Sequence, residues 1–224
     1  MAVITISRQY GSGGDEIARQ LCELLAYGYF DKLLLNYTAA KVGLSASEIV
    51  DFSENNYNVR SLIDHLIVGW RSPHTIAQTE IWQKELFGEP TLALSSLNEM
   101  QSQALVEYAL QAAYRHDNMV IVGRGGQIVL KDQPDVLHVR IQAPMAIRIE
   151  RLQARQQISA GLAQSRLSEY DRASAGYLKH FYEVDWSDPL LYHLMINTGH
   201  LEFEAAARLI INALDHLSAN PSSK

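Results

Sequence analysis

Three observations predict an α/β sandwich with a mostly parallel, five-stranded central sheet. Short apolar runs recur between helical stretches, at 3–6, 29–31, 119–122, 136–141 and 193–197. The run Met119-Val120-Ile121-Val122 shows no polar alternation, as expected of a parallel strand covered on both faces. Strands that alternate with helices in this way build a parallel sheet between helical layers.

The first strand, Val3-Ile4-Thr5-Ile6, runs through Ser7-Arg8-Gln9-Tyr10 into Gly11-Ser12-Gly13-Gly14 and then Asp15-Glu16-Ile17-Ala18. That order is strand, glycine loop, helix. Ile17, Leu21, Leu24 and Leu25 give the helix one apolar face. Gly28 breaks it, and Tyr29-Phe30 opens a second strand ending at Asp31. From about 33 to 117 the pattern is almost wholly helical, with turn signals at Ser53-Glu54-Asn55-Asn56, Ser72-Pro73 and Gly88-Glu89-Pro90. Within it, 100–115 reads as one helix with Ala104, Leu105, Tyr108, Ala109 and Ala112 inward. After the strands at 119–122 and 136–141, Ala143-Pro144 opens a helix through Arg155, with proline in the first turn. A helix over about 160–181, the last strand and a helix over 202–217 complete the core; 218–224 is a small, polar tail. The excursion at about 33–117 reads as an insert over the carboxyl end of the sheet, where such sheets bind ligands.

Composition bounds the function. The chain has 224 residues, 47% of them hydrophobic, enough for one sizeable core. A net charge of −6 argues against wholesale binding of a nucleic acid backbone. The single cysteine, Cys22, excludes an internal disulfide and reads as a small core residue. No stretch approaches the ~18 apolar residues that span a bilayer, and no targeting signal is visible, so the cytoplasm is the expected location. The eight histidines lack metal-ligand spacing.

The glycine loop carries the chemistry. Backbone N–H groups in such a loop, with those of the helix's first turn, cradle phosphate oxygens. Against the pattern Gly-x4-Gly-Lys-Ser/Thr, Arg8 falls on the first glycine, Gly13 on the second, Gly14 on the lysine and Asp15 on the Ser/Thr. A cation is lost and a carboxylate gained. Arg8 can restore charge, since its planar fork suits phosphate. Asp15 is either a hard oxygen ligand for Mg²⁺ or a cap of the first helix. Two other readings stand beside this one. The cluster Gly11 to Gly14 can be no more than a tight turn, or Gly11-x-Gly13 with Asp31 can begin a dinucleotide site, although Glu16 holds the third glycine's place.

A second glycine cluster, Val122-Gly123-Arg124-Gly125-Gly126-Gln127, follows the third strand and sets Arg124 at the carboxyl edge of the sheet, either as an anion ligand or as a solvated turn residue. Arg148, Arg151 and Arg155 share one helix face at i, i+3 and i+7; Arg166 and Arg172 follow in the next helix. Such a row is either a solvated face or a set of cations that closes on phosphates. Tyr177, Phe181, Tyr182 and Trp186 with Asp185 and Asp188 form an aromatic and acidic cluster nearby.

Taken together these segments resemble the cytidylate-kinase-like family of P-loop proteins, relatives of the nucleoside monophosphate kinases. The matching pieces run from the Ile4 to Gly14 loop through Tyr29-Phe30-Asp31-Lys32, Val120 to Gly125, His138 to Pro144, Arg148-Ile149-Glu150-Arg151, Val184 to Pro189 and Ile196-Asn197-Thr198-Gly199. The resemblance implies a P-loop NTPase three-layer sandwich forming one domain over 1–217, with a nucleoside-monophosphate insert at about 33–117 and a lid at about 144–190. It implies transfer of the γ-phosphoryl of ATP, with Mg²⁺, to a nucleoside monophosphate such as CMP. Ser12, Gly13 and Gly14 would hold donor phosphates, Asp31 and Arg124 would face the acceptor, and Arg148, Arg151 and Arg172 would serve the lid. The chain departs from the family pattern in having Asp15 and Ser174 where arginines are expected, and Gly125 where true cytidylate kinases carry an acid. A nucleotide-binding protein with weakened or absent turnover and a regulatory role is the alternative those departures keep open.

Overall fold

The computed structural model describes residues 2–31 and 99–217. The chain order is β1 (Val3–Arg8), α1 (Gly14–Leu25), β2 (Gly28–Phe30), α2 (Glu99–His116), β3 (Met119–Val122), α3 (Gly126–Val129), β4 (Val136–Gln142), α4 (Met145–Gln156), α5 (Ala160–Tyr182), a 3₁₀ turn (Pro189–Leu191), β5 (Leu194–Asn197) and α6 (Phe203–Asp215). The strands pair in the order β2-β3-β1-β4-β5, every pair parallel. β1 sits at the centre: Ile4 registers with Val120 on one side and Leu137 on the other.

Strand alternation divides the sheet into two faces. Ile4, Ile6, Val120, Val122, Val139 and Ile141 pack under α1 and α6, against Ile17, Leu21, Ala206 and Ile210. On the opposite face Val3, Met119 and Ile121 meet Val106, Leu110 and Ala113 of α2. That face changes character toward the carboxyl edge, where Thr5, Ser7, His138 and Arg140 are buried polar residues. Trp186 and Tyr192 cover them: Trp186 Nε1 donates to Ser7 Oγ at 2.7 Å, and the Arg140 guanidinium lies 4.2 Å from the Trp186 ring while donating to the Trp186 carbonyl. The segment after α5 is thereby fastened to the edge where the glycine loops emerge.

The elements fall within a residue or two of the sequence expectations, with three differences. Pro144 is the N-cap of α4 rather than a residue of its first turn. The four-residue α3 and the 3₁₀ turn were not foreseen; both are short turns that carry no helical periodicity. The expected insert before residue 99, with its turn signals, and the tail at 218–224 lie outside the described residues, as do the side chains of Ala104, Leu105, Tyr108 and Ala112; Ala109 is buried as expected. Cys22 is half-buried, its Sγ donates to Gly28 O at 3.6 Å, and burial raises its pKa to about 12, which suits a packed thiol.

Candidate anion-binding site at the carboxyl edge

β1 delivers the glycine loop to the carboxyl edge of the sheet. Gln9 N–H still follows the ladder, donating to Ile141 O at 3.0 Å. The chain then turns: Ser12 donates to Gln9 O from its backbone N (3.2 Å) and from Oγ (2.7 Å). Gly13 must be glycine on two counts. Its φ is 87°, and a Cβ there would stand 2.2 Å from Phe203 Cε1.

α1 starts with its donors open. Ile17 N–H is the first to close on the helix, reaching Gly13 O at 2.9 Å. The N–H groups of Gly14, Asp15 and Glu16 precede it and have no intrahelical acceptor. The N-cap is Gly13 and no side chain caps the helix, so Asp15 is not the cap that the sequence allowed. Asp15 Oδ1 instead accepts from Arg8 Nε at 2.9 Å.

Two arginines of α4 fix the loop from outside. Arg148 is buried; Nε donates to Ala143 O (3.0 Å), and Nη1 to Tyr10 O (3.2 Å) and Asp171 Oδ2 (2.6 Å). Asp171, on α5, also accepts from Tyr10 N–H at 3.2 Å. Arg151 donates through Nη1 to Ser12 O (3.3 Å) and Thr198 Oγ1 (3.1 Å), and through Nη2 to Thr198 O (2.7 Å). Thr198 Oγ1 itself donates to Ser12 O at 2.6 Å. In a planar trans peptide the C=O and the following N–H point opposite ways. Holding Tyr10 O and Ser12 O therefore aims the amides of Gly11 and Gly13 away from these arginines.

The second glycine loop meets the first. Gly123 N–H donates to Ile6 O at 2.9 Å. Gly123, Arg124 and Gly125 all have positive φ, at 78°, 58° and 75°. For Arg124 that conformation costs of order 1–3 kcal/mol, a strain that clusters at functional sites. Arg124 Cζ lies 5.9 Å from the Tyr177 ring, and a Cβ on Gly125 would stand 2.8 Å from Tyr182 Cε2. α5 thus packs on the loop that carries Arg124. Burial pushes the Tyr177 and Tyr182 phenols up, so both stay protonated.

The structure brings Arg8, Gly11, Ser12, Gly13, Gly14 and Asp15 together in one loop. It sets Asp31 close enough to Arg8 to favour its charge. Burial opposes that charge, but Asp15, Tyr29 and Asp31 outweigh it and hold the Arg8 pKa above its ordinary value. Arg148 and Arg151, which the resemblance assigns to the lid, instead meet the loop from outside and donate to the carbonyls of Tyr10, Ser12, Ala143 and Thr198, the Thr198 hydroxyl and Asp171. Arg155 pairs with Glu16 at 3.2 Å, and Arg172 is exposed on α5. Asp171, Thr198 and Phe203 were not foreseen as part of the site. Thr198 lay within a matching segment; the other two gave no signal, since their contacts are set by tertiary packing. Among the described residues, no group of three His, Cys, Asp or Glu could hold a metal ion, and no helix is long and apolar enough to cross a membrane.

A five-stranded parallel sheet of this order, with a glycine loop running from the central strand into a helix, defines a P-loop α/β protein. Residues 3–200 match the cytidylate kinase-like family, and the chain belongs to it. Among curated relatives, the cytidylate kinase of Methanocaldococcus jannaschii is 28% identical over 106 residues, 46% of this chain and 59% of that protein, so the match spans little more than half of that relative. The cytidylate kinase of Saccharolobus islandicus is 22% identical over 220 residues, 98% of this chain and 94% of that one. A crystal structure of an uncharacterized protein from Eubacterium ventriosum superposes with a TM-score of 0.63 at 18% identity, covering 96% of this chain and 99% of that one, a likeness of fold.

Proposed function

We propose that this protein is a nucleoside monophosphate kinase that moves the γ-phosphoryl of ATP to CMP or a close analogue. The observation that carries the reading is the uncapped start of α1, whose free amides follow a loop held by Arg148, Arg151 and Thr198. Anions suit such amides because the helix dipole adds to the hydrogen bonds. The donor phosphates would lie on the amides of Gly11, Gly13, Gly14, Asp15 and Glu16. Mg²⁺ carried with the nucleotide would neutralise part of the polyphosphate charge. Asp15 is the nearest acid of the loop, but one of its oxygens is engaged by Arg8.

Asp31 and Arg124 would face the acceptor, and Arg172 would reach the phosphates from α5. Arg148 and Arg151 act through the loop as positioning residues. The protein forms no covalent bond to substrate in this reading; its residues orient and neutralise. ADP formation in a coupled assay across the common nucleoside monophosphates tests it. Turnover is expected to be fastest with CMP, and its absence with every acceptor would refute a kinase.

One observation favours the second reading, a nucleotide-binding protein without turnover: Arg8 and Asp15 cancel each other's charge beside the loop. Phosphoryl transfer depends on charge at the γ-phosphate, where one arginine can be worth ~10³–10⁵ in rate. ATP binding by calorimetry with no ADP formed would decide for it.

A further inference from the structure

The loop lacks its lysine, and the reason is steric. Gly14 occupies the lysine position, and a Cβ there would stand 2.5 Å from Arg8 Cβ and 2.8 Å from Arg8 Cγ. Those are the root of the arginine, not its flexible end. An arginine at position 8 and any side chain at position 14 are therefore mutually exclusive in this backbone. The same side chain then crosses toward the second loop: Nη1 lies 2.9 Å from the place of a Gly123 Cβ. Its head lies beside the first turn of α1, tied by Nε to Asp15 Oδ1 at 2.9 Å. That ion pair is its one hydrogen-bonded contact among the described residues, and the side chain is 33% exposed.

We propose that Arg8 is the phosphate-binding cation of this loop, replacing the lysine whose position its own stem fills, and that Asp15 orients Arg8 rather than holding a metal. The proposal rests on the nucleotide-binding reading above. A guanidinium gripped at Nε keeps both Nη groups for bidentate contact with phosphate oxygens. Arginine-plus-glycine at positions 8 and 14 is the mirror of the ordinary glycine-plus-lysine. The exchange keeps one cation at the loop while moving its attachment from the helix to the strand.

The test is equilibrium binding of ATP to the full chain by calorimetry, with and without Mg²⁺. Arg8→Gln keeps the stem over Gly14 and removes the charge. It is expected to bind ATP about 10- to 100-fold more weakly, the loss of a hydrogen-bonded charge. Arg8→Gly combined with Gly14→Lys restores the ordinary arrangement and is expected to bind within a few-fold of wild type. Arg8→Gly alone stays weak, and Gly14→Lys alone melts early because its Cβ meets Arg8. Asp15→Ala is expected to change affinity in the wild type and to have no further effect in Arg8→Gln. Wild-type binding that Arg8→Gln leaves within twofold overturns the proposal, as does a double variant no better than Arg8→Gly. An Asp15→Ala effect that persists in Arg8→Gln, or that abolishes the Mg²⁺ enhancement of binding, overturns the role given to Asp15. A wild type that binds no ATP instead refutes the nucleotide-binding reading itself.

Discussion

Thr198→Val is the sharpest probe of how the loop is held. Valine keeps the shape and removes one hydroxyl from a site that is only 1% exposed. Two short bonds go with it, Thr198 Oγ1 to Ser12 O at 2.6 Å and Arg151 Nη1 to Thr198 Oγ1 at 3.1 Å, and a long third one to Gln142 O at 3.4 Å, an oxygen that keeps the Thr198 N–H. A neutral hydrogen bond contributes about 1 kcal/mol and one to a charged group about 1.5–3. Ser12 O and the Arg151 guanidinium keep each other and Thr198 O as partners, so neither is orphaned. The net loss is therefore at the lower end, about 2 kcal/mol. For a chain of this length that lowers the melting temperature by roughly 4–8 °C. The second consequence is functional. With Ser12 O held less firmly, the Gly13 amide is aimed less well, and the thermal shift produced by saturating ATP shrinks along with the affinity. Differential scanning calorimetry with and without ATP reads both. A variant that melts within 1 °C of wild type and responds equally to ATP would refute the bracing of the loop by Thr198.

Three further outcomes are expected. Asp171→Ala leaves Arg148 buried without its carboxylate, at a cost of about 3 kcal/mol or more in denaturant unfolding, with Asp171→Asn intermediate because its amide oxygen still accepts; equal stability of all three proteins would count against the ion pair. Gly13→Ala puts a Cβ into the Phe203 ring at a φ of 87°, so it should lose ATP binding and at least ~2 kcal/mol of stability, and Phe203→Leu in the same chain should recover part of the stability; no recovery would place the cost in the backbone alone. His138 is buried against Thr5 and stacked on His193, and burial, with the neighbouring His193, lowers its pKa from 6.5 to about 4. The unfolded chain therefore binds a proton below pH 6.5 that the folded chain refuses, so stability falls by ~3 kcal/mol between pH 6.5 and 4 and then levels; urea titrations at pH 7 and 5 should show that loss shrinking in His138→Gln, and an unchanged loss would assign it to other groups.

The fold was legible because its signals are local. Parallel strands buried on both faces read as unbroken apolar runs, and the long helices between them carry one-sided periodicity, so the strands and long helices fall within a residue or two of their expected places, while α3 and the 3₁₀ turn, too short for a period, leave no such signal. The glycines of the loop were legible for the same reason, since positive φ at Gly11 and Gly13 is a property of the turn itself. The site was legible only in part. Spacing put Arg148 and Arg151 on one face of α4, but nothing in the sequence says what that face meets. Asp171 and Thr198 reach the loop across separations of 161 and 186 residues, and such contacts leave no local trace. The sequence allows Asp15 as a cap, beside a Mg²⁺ ligand, because an acid in a first turn is favoured on dipole grounds alone; in the structure no side chain caps α1, and Arg8, seven residues earlier, holds Asp15 Oδ1.

The arginines around the loop differ in what balances them. Arg8 is matched by Asp15, Arg148 by Asp171 and Arg155 by Glu16. Arg151 is held by the carbonyls of Ser12 and Thr198, the Thr198 hydroxyl and, at 4.9 Å, the face of the Phe203 ring. None of these contacts is a carboxylate, so its charge is left for the loop. A cation on a carbonyl oxygen also polarises the peptide it belongs to, which strengthens the N–H at the other end as a donor. In this chain that N–H is the amide of Gly13. In the proposed nucleotide-binding reading Arg151 would act on the anion through a peptide group, aiming and sharpening one amide without touching the ligand. A cation that works in this way needs no reorganisation when the anion arrives, which is the condition under which fixed dipoles stabilise charge most.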